Sequence, residues 1–199
     1  MPPTDPRDNN VRDSQCAGSR EWSDARVYTL GHSTRAQAEL IALLQHYGIA
    51  TLVDVRTIPR SRHNPQFNQD ELATALPTAS IDYVHLPRLG GLRRGIGDAS
   101  LNGGWRNASF RAYADYMQTA EFAQGLEELR SLTNAGPVAL MCAEAVPWRC
   151  HRSLIADALT IRGVEVREIW SLTRTEVHKM TPFAHIDGLR LTYPAIDAS

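Results

Sequence analysis

From residue 26 onward, short apolar runs alternate with stretches whose apolar positions recur at helical spacing. That alternation predicts an α/β domain built on a mainly parallel sheet. The apolar runs place strands at Arg26–Leu30, Thr51–Val55, Ile81–Leu86, Val138–Met141 and Val164–Ile169. A first helix is expected with Thr34 as its N-cap, running through Tyr47, with Ala38, Leu40, Ile41 and Leu44 inward and Gly48 as its stop. Others are expected over Leu72–Leu76, closed by Pro77, from Ser109 as cap through Met117, and over Thr119–Leu132. After the fourth strand, Cys150, Leu154, Ala158 and Ile161 fall on one helical stripe, which Gly163 ends. The tail from Ser171 carries Pro182, Pro194 and one extended piece, Leu189–Tyr193. The expected fold is a single three-layer domain over residues 26–199, with a mainly parallel sheet of about five strands and helices on both faces. Residues 1–25 are polar and without period, and read as a flexible leader.

Composition narrows the function classes. At 199 residues and 43% hydrophobic, the chain can bury a core of its own. A net charge of −1 provides no global field to draw it to nucleic acid or a membrane surface. The cations are nearly all arginine, since Lys179 is the only lysine, and arginine suits bidentate contact with carboxylate or phosphate. Three cysteines, Cys16, Cys142 and Cys150, make no disulfide framework, and no secretory signal or long apolar span appears. A cytoplasmic protein without membrane contact is the expectation.

The chemistry gathers where the strands end, the place where open parallel sheets bind ligands. The first strand ends in His32 and Ser33. The second leads through Asp54 and Arg56 to Arg60, Ser61, Arg62 and His63, and the third to His85 and Arg88. The fourth delivers Cys142 and Glu144, followed by Pro147, Trp148 and then Arg149-Cys150-His151-Arg152 at a helix start. Strand, loop and helix N-terminus is a geometry that gathers backbone N–H groups on an anion and lowers a thiol pKa. Cys142, directly after the strand, reads as the reactive thiol. Cys150, on the stripe of Leu154 and Ala158, reads as a buried small hydrophobe. Asp54 has two readings, a catalytic acid or a structural acceptor for loop N–H groups and Arg56.

Several known motifs are not met. Arg149 is one residue too far from Cys142 for a thiol phosphatase loop, and no Walker Lys-Ser/Thr ends the glycine-rich stretch. Cys142, Cys150 and His151 have metal-ligating atoms but no CxxC or familiar zinc spacing, so no metal site and no cofactor is expected. The loop Pro87–Asn107, with six glycines and Arg88, Arg93, Arg94 and Arg106, is expected to be a mobile cover.

The ordered blocks TLGHSTR (Thr29–Arg35), Leu52–Asn68 with its LVDVR start, and YVHLPRLGG (Tyr83–Gly91) resemble one family. WRNASFRAYADYM (Trp105–Met117), LMCAEAVPWRCHR (Leu140–Arg152) and TPFAHIDGLRLTYP (Thr181–Pro194) extend the likeness. The family is that catalogued as domain of unknown function 488. The resemblance implies a compact α/β domain and no established reaction. The LVDVR strand is also similar to the LIDVR-type strand of rhodanese-like domains, although their active loop is absent here.

Two functions compete. In the first, the chain is a thiol-dependent enzyme on a small, phosphate-bearing substrate, with catalytic Cys142, Glu144 and His32 and an anion held by Arg56, Arg60, Arg62, Arg88, Arg149 and Arg152. In the alternative it is a non-catalytic module for a nucleotide or nucleic acid. Arg60, Arg62, Arg93, Arg94 and Arg106 would then meet phosphates, and Phe67, Tyr83 and Trp105 would stack on bases.

Overall fold

The computed structural model describes Trp22 and residues 25–195, so most of the expected leader, Cys16 included, lies outside the described residues. Trp22, within that stretch, is buried in the core, and its carbonyl accepts a hydrogen bond from the Ala25 N–H at 3.0 Å. The remainder is a mainly parallel mixed sheet between two layers of helices. Its strands are β1 (Val27–Gly31), β2 (Thr51–Asp54), β3 (Asp82–His85), β4 (Val138–Cys142), β5 (Val166–Ser171) and β6 (Arg174–Val177). They lie in the order β3-β2-β4-β1-β5-β6, and only β6 is antiparallel to its neighbour. A separate hairpin pairs β7 (His185–Asp187) with β8 (Arg190–Thr192). The helices are α1 (Gln37–His46), α2 (Gln69–Thr78), α3 (Ala108–Tyr116), α4 (Ala120–Leu132) and α5 (Arg152–Thr160).

Alternation along the strands explains the two helical layers. Leu52, Ala139 and Met141 point to one face, where they pack with Leu40, Leu43 and Leu44 of α1 and Leu72 and Leu76 of α2. Val53, Val138 and Leu140 point to the other, against Tyr113, Leu126, Leu129 and Leu154 from α3, α4 and α5. The middle strands are therefore apolar at successive positions, which is why they read as continuous runs. At about 25 cal/mol per Å² of apolar surface, burying each large aliphatic side chain contributes about 1.5–3 kcal/mol.

The structure refines the expected elements. β6 (RTEV) is a sixth strand. It has no buried residue, and its Arg174 pairs with Glu176, so it offers no apolar signal. A polar, charged edge of this kind blocks further strand addition. The helix expected over Leu72–Leu76 runs from Gln69 to Thr78 and contains Pro77, one residue before its end. Asn107, not Ser109, caps α3 by accepting from the Ser109 N–H at 2.9 Å. Thr34 does not cap α1, whose N-cap position is Ala36. The loop expected to be a mobile cover is instead tied down. Asn102 donates to Asp115 Oδ1 at 2.8 Å, and its own Oδ1 accepts from the Tyr193 N–H at 2.9 Å. Arg93 donates to carbonyls of its own loop and lies 3.6 Å over the Tyr116 ring.

A buried ionic cluster fastens the far end of α5. Asp157 accepts from His178 Nε2 at 2.7 Å, from the Tyr193 hydroxyl at 2.9 Å and from the Thr181 N–H at 3.1 Å. His178 Nδ1 reaches Glu168 of β5 at 3.2 Å. Burial opposes charge on this imidazole, but the hydrogen bonds to Asp157 and Glu168 outweigh it and push the pKa up to about 9. With the folded pKa above the unfolded value of about 6.5, the stabilisation is complete below pH ~6.5 and is lost as pH rises through about 9. Thermal unfolding should show a Tm that falls between pH ~6.5 and ~9.5. His178→Gln should flatten that slope and destabilise the protein, because Asp157 keeps its buried charge without the cation. An unchanged slope in the variant would remove His178 as its cause.

Candidate functional site

β1 and β4 are neighbours, yet the chain leaves them in opposite directions. After β1 it turns to α1 on one face, and after β4 it turns to α5 on the other. Such a switch point leaves a crevice beyond the carboxyl ends of the strands. The two exits stay zipped for two more residues, with the His32 N–H bonded to the Cys142 carbonyl at 2.9 Å and the Ser33 N–H to the Ala143 carbonyl at 3.0 Å. Gly31 permits this approach, since a Cβ there would lie 2.0 Å from the Glu144 carbonyl oxygen. Ser33 follows in the left-handed region, with φ 50°.

The crevice is a cavity of about 650 Å³, within the range of small-molecule sites. His32 from the β1 end, Arg56 and Arg60 after β2, and Cys142, Glu144, Arg149, Cys150 and His151 after β4 all line it. Gly91 and Leu92 are the only parts of the Pro87–Asn107 loop that reach it.

Arg56 and Asp54 form a closed unit beneath one wall. Asp54 is 0% exposed and accepts from Arg56 Nε and Nη2 at 2.8 and 2.5 Å, from the Arg56 N–H at 3.1 Å and from the Tyr83 hydroxyl at 2.8 Å. Arg56 also donates to the Phe67 carbonyl at 2.7 Å. Of its two readings, Asp54 thus has the geometry of the structural acceptor. His32 is buried and stacks on Phe67, with ring centroids 4.3 Å apart. Its Nδ1 faces the Ser33 carbonyl at 2.9 Å and its Nε2 faces Arg56 Nη1 at 3.3 Å. Burial, joined by the Arg56 cation, lowers its pKa. The imidazole is therefore neutral, and both nitrogens are already engaged.

The other wall holds two thiols and an imidazole. Cys142 Sγ, Cys150 Sγ and a ring nitrogen of His151 all lie within 4.8 Å of one another. His151 Nε2 bonds the Val55 carbonyl at 3.0 Å, so Nε2 carries the proton and the Nδ1 lone pair faces Cys150 Sγ at 3.7 Å. Gly91 leaves room for the ring, because a Cβ there would sit 2.5 Å from Nδ1. Below the thiols lies Arg152, 1% exposed. It donates to Thr29 Oγ1 at 2.5 Å and to the Glu144 carbonyl at 2.6 Å, and its Nε has no partner. No carboxylate pairs with it among the described residues. The two thiols titrate as a unit. The hydrogen bond from Cys142, together with Arg152 and His151, outweighs burial and lowers the pKa of Cys150 well below the ordinary thiol value. The same hydrogen bond, and burial, raise that of Cys142. The pair thus carries its first negative charge on Cys150. These three donor atoms could be spanned by one soft cation. The adjacent unpaired guanidinium favours an anion there instead.

The remaining expected residues are scattered. Arg60 and Arg149 are exposed at the cavity, and their side chains make no hydrogen bond or ion pair among the described residues. Arg62 is exposed and does not line it. Arg88 is paired with Glu128 of α4 and lies outside the lining. The Glu144 carboxylate is exposed and accepts from the Val146 N–H at 3.2 Å. Of the aromatic residues expected to stack on bases, Phe67 is fully buried, Tyr83 is bonded to Asp54, and Trp105 packs on Phe110, Phe183 and Tyr193. His151 was missed as a site residue. Its signal is the Cys-His-Arg triplet immediately before a helix that follows a strand end.

An α/β domain with a thiol-lined crevice at its switch point is the class these features define. Residues 36–159 match the family model for the domain of unknown function DUF488, and the chain belongs to that family. No curated protein and no solved structure matches the chain. Among the described residues, no helix is long and apolar enough to cross a membrane.

The closed Asp54–Arg56 unit yields a stability test. Asp54→Asn should cost about 3–5 kcal/mol, because it leaves the Arg56 charge buried and uncompensated. The urea midpoint at unchanged m reads this directly. A loss below about 1 kcal/mol would mean that water reaches Arg56.

Proposed function

We propose that the protein is a thiol-dependent enzyme acting on a small substrate with an anionic group, with Cys150 as the nucleophile. The observation that carries this reading is a buried arginine, Arg152, without a carboxylate partner beneath two thiols that line a cavity. Buried cations are normally paired, and a thiolate on Cys150 supplies the missing charge. Cys142, first expected to be the nucleophile, keeps its proton and donates it toward Cys150. His151 Nδ1, facing Cys150 Sγ at 3.7 Å, is placed to accept the thiol proton and so to leave a thiolate beside an imidazolium. His32 and Glu144 have lesser parts. The first is locked between Ser33 and Arg56, and the second holds Arg152 through its backbone carbonyl. The substrate's anionic group would meet Arg60 and Arg149, the exposed arginines of the lining that have no partner among the described residues. The nucleotide-binding alternative draws less support, since its stacking residues are committed to the fold.

Alkylation kinetics test the reading. At pH 6.5 an ordinary thiol of pKa about 8.5 is only ~1% ionised, so Cys16 serves as the internal reference. Cys150 should react with iodoacetamide on the order of tenfold faster than Cys16, with little change in rate between pH ~6.5 and ~8. Inorganic phosphate should slow the reaction, and Arg149→Ala should weaken that protection. A Cys150 rate at or below that of Cys16, in protein shown to be folded, would leave the binding module as the better account.

A further inference from the structure

We infer that Cys142 and Cys150 are a nucleophile and resolving-thiol pair that reduces a small hydroperoxide and closes a reversible disulfide between β4 and α5. This rests on Cys150 as nucleophile but not on the anionic group of any substrate.

Four features of the wall carry it. Both cysteines are free, and both open onto the same cavity, which is large enough to admit a small hydroperoxide. Their sulfurs lie within 4.8 Å of each other on one wall of that cavity, with the His151 ring beside them. A thiol held against a thiolate in this way is placed to attack it once it is oxidised. The backbone around each differs in freedom. Cys142 ends a strand paired on both sides, whereas Cys150 is in extended conformation (φ −131°, ψ 141°) between a short 3-10 turn and α5. The residue that must move a little to form the bond is therefore the one outside regular structure. Arg152 supplies a fixed cation beside the reacting sulfur, and the Glu144 carbonyl that it holds belongs to the loop a disulfide would close.

The steps balance. The Cys150 thiolate attacks the terminal oxygen of the hydroperoxide, the O–O bond breaks, and Cys150 becomes a sulfenic acid. The departing alkoxide takes the proton of Cys142 and leaves as the alcohol. The Cys142 thiolate then attacks the sulfenic sulfur, forms the S–S bond and expels hydroxide, which is protonated by solvent. The two sulfurs give up two electrons and the peroxide gains them. A low-molecular-weight thiol returns the pair to the reduced state by exchange.

The full chain with Cys16→Ser, treated with equimolar hydrogen peroxide, tests this. The expected product has lost two hydrogens in mass and has a peptide linking Cys142 to Cys150, which dithiothreitol reverses. Cys142→Ser in the same background should accumulate a Cys150 sulfenic acid that a 1,3-diketone traps. Cys150→Ser should lose the rapid oxidation, by on the order of tenfold or more. Retention of both thiols by the treated parent would overturn the inference. So would equally fast oxidation in Cys150→Ser. Those results alongside fast, phosphate-sensitive alkylation of Cys150 would leave the thiol-enzyme reading standing. Slow alkylation would remove both. The parent measurement alone decides the disulfide if either variant fails to fold.

Discussion

Among the described residues, the Arg152 guanidinium is the buried charge at the strand-end crevice that no carboxylate meets, and the arrangement around it follows from that. It spans from Thr29 in β1 to the Glu144 carbonyl after β4, so it sutures the two exits that define the switch point. Removing such a cation from water costs several kcal/mol unless an anion or a full set of acceptors replaces the lost hydration. Two good acceptors are present, and Nε has none. Arg56 shows the contrasting solution on the opposite wall. Asp54 neutralises it in full and Phe67 takes a further N–H, so it adds rigidity without a net field. The polarity of the crevice is therefore set by Arg152 beneath and by Arg60 and Arg149 at the exposed lining.

Much of the fold was legible because the apolar pattern and the layers are the same fact seen twice. Strands covered on both faces are apolar at successive positions, as in Leu52-Val53 and Val138–Met141, and β1, β2 and β4 are found close to where that pattern put them. β6 escaped because a solvent-facing edge strand needs no apolar residue, and its charges discourage aggregation rather than signal burial. The capping residue of α3 escaped for a smaller reason. Asn107 and Ser109 are both capable caps, and only the path of the preceding loop selects between them.

The candidate site was legible in position and less so in roles. Strand ends marked where His32, Arg56 and Cys142 would meet, and they line one cavity. Cys150 is buried, as the stripe implies, but a period of 3.6 residues extended back past the helix start does not give the direction of its side chain. α5 begins at Arg152, and the extended backbone of Cys150 turns its sulfur to the crevice rather than along the Leu154 stripe. Arg88 was assigned from its place after β3, but Glu128, forty residues on in sequence, captures it. Long-range pairing of this kind has no local signature. The same holds for Asp157, whose partners His178 and Tyr193 come from the tail. That cluster fixes one end of α5 while Arg152 fixes the other, and the thiol wall is held between them.

A thiol pair gains from ionising once and not twice. With one negative charge, the pair meets the buried positive charge of Arg152, and the thiol that keeps its proton favours the thiolate beside it. A second ionisation would remove that donor and set two anions side by side in a partly desolvated wall, which is why the pKa of Cys142 is driven upward as that of Cys150 falls. The asymmetry between the sulfurs then comes from their neighbours. His151, anchored on Val55 and given room by Gly91, faces Cys150, while the Cys142 sulfur lies where β4 ends. A floor neutralised in this way neither attracts nor repels an incoming anion strongly. On the proposed function, recognition of an anionic group would fall to the exposed arginines of the lining, and bond-making to the buried sulfur beneath them.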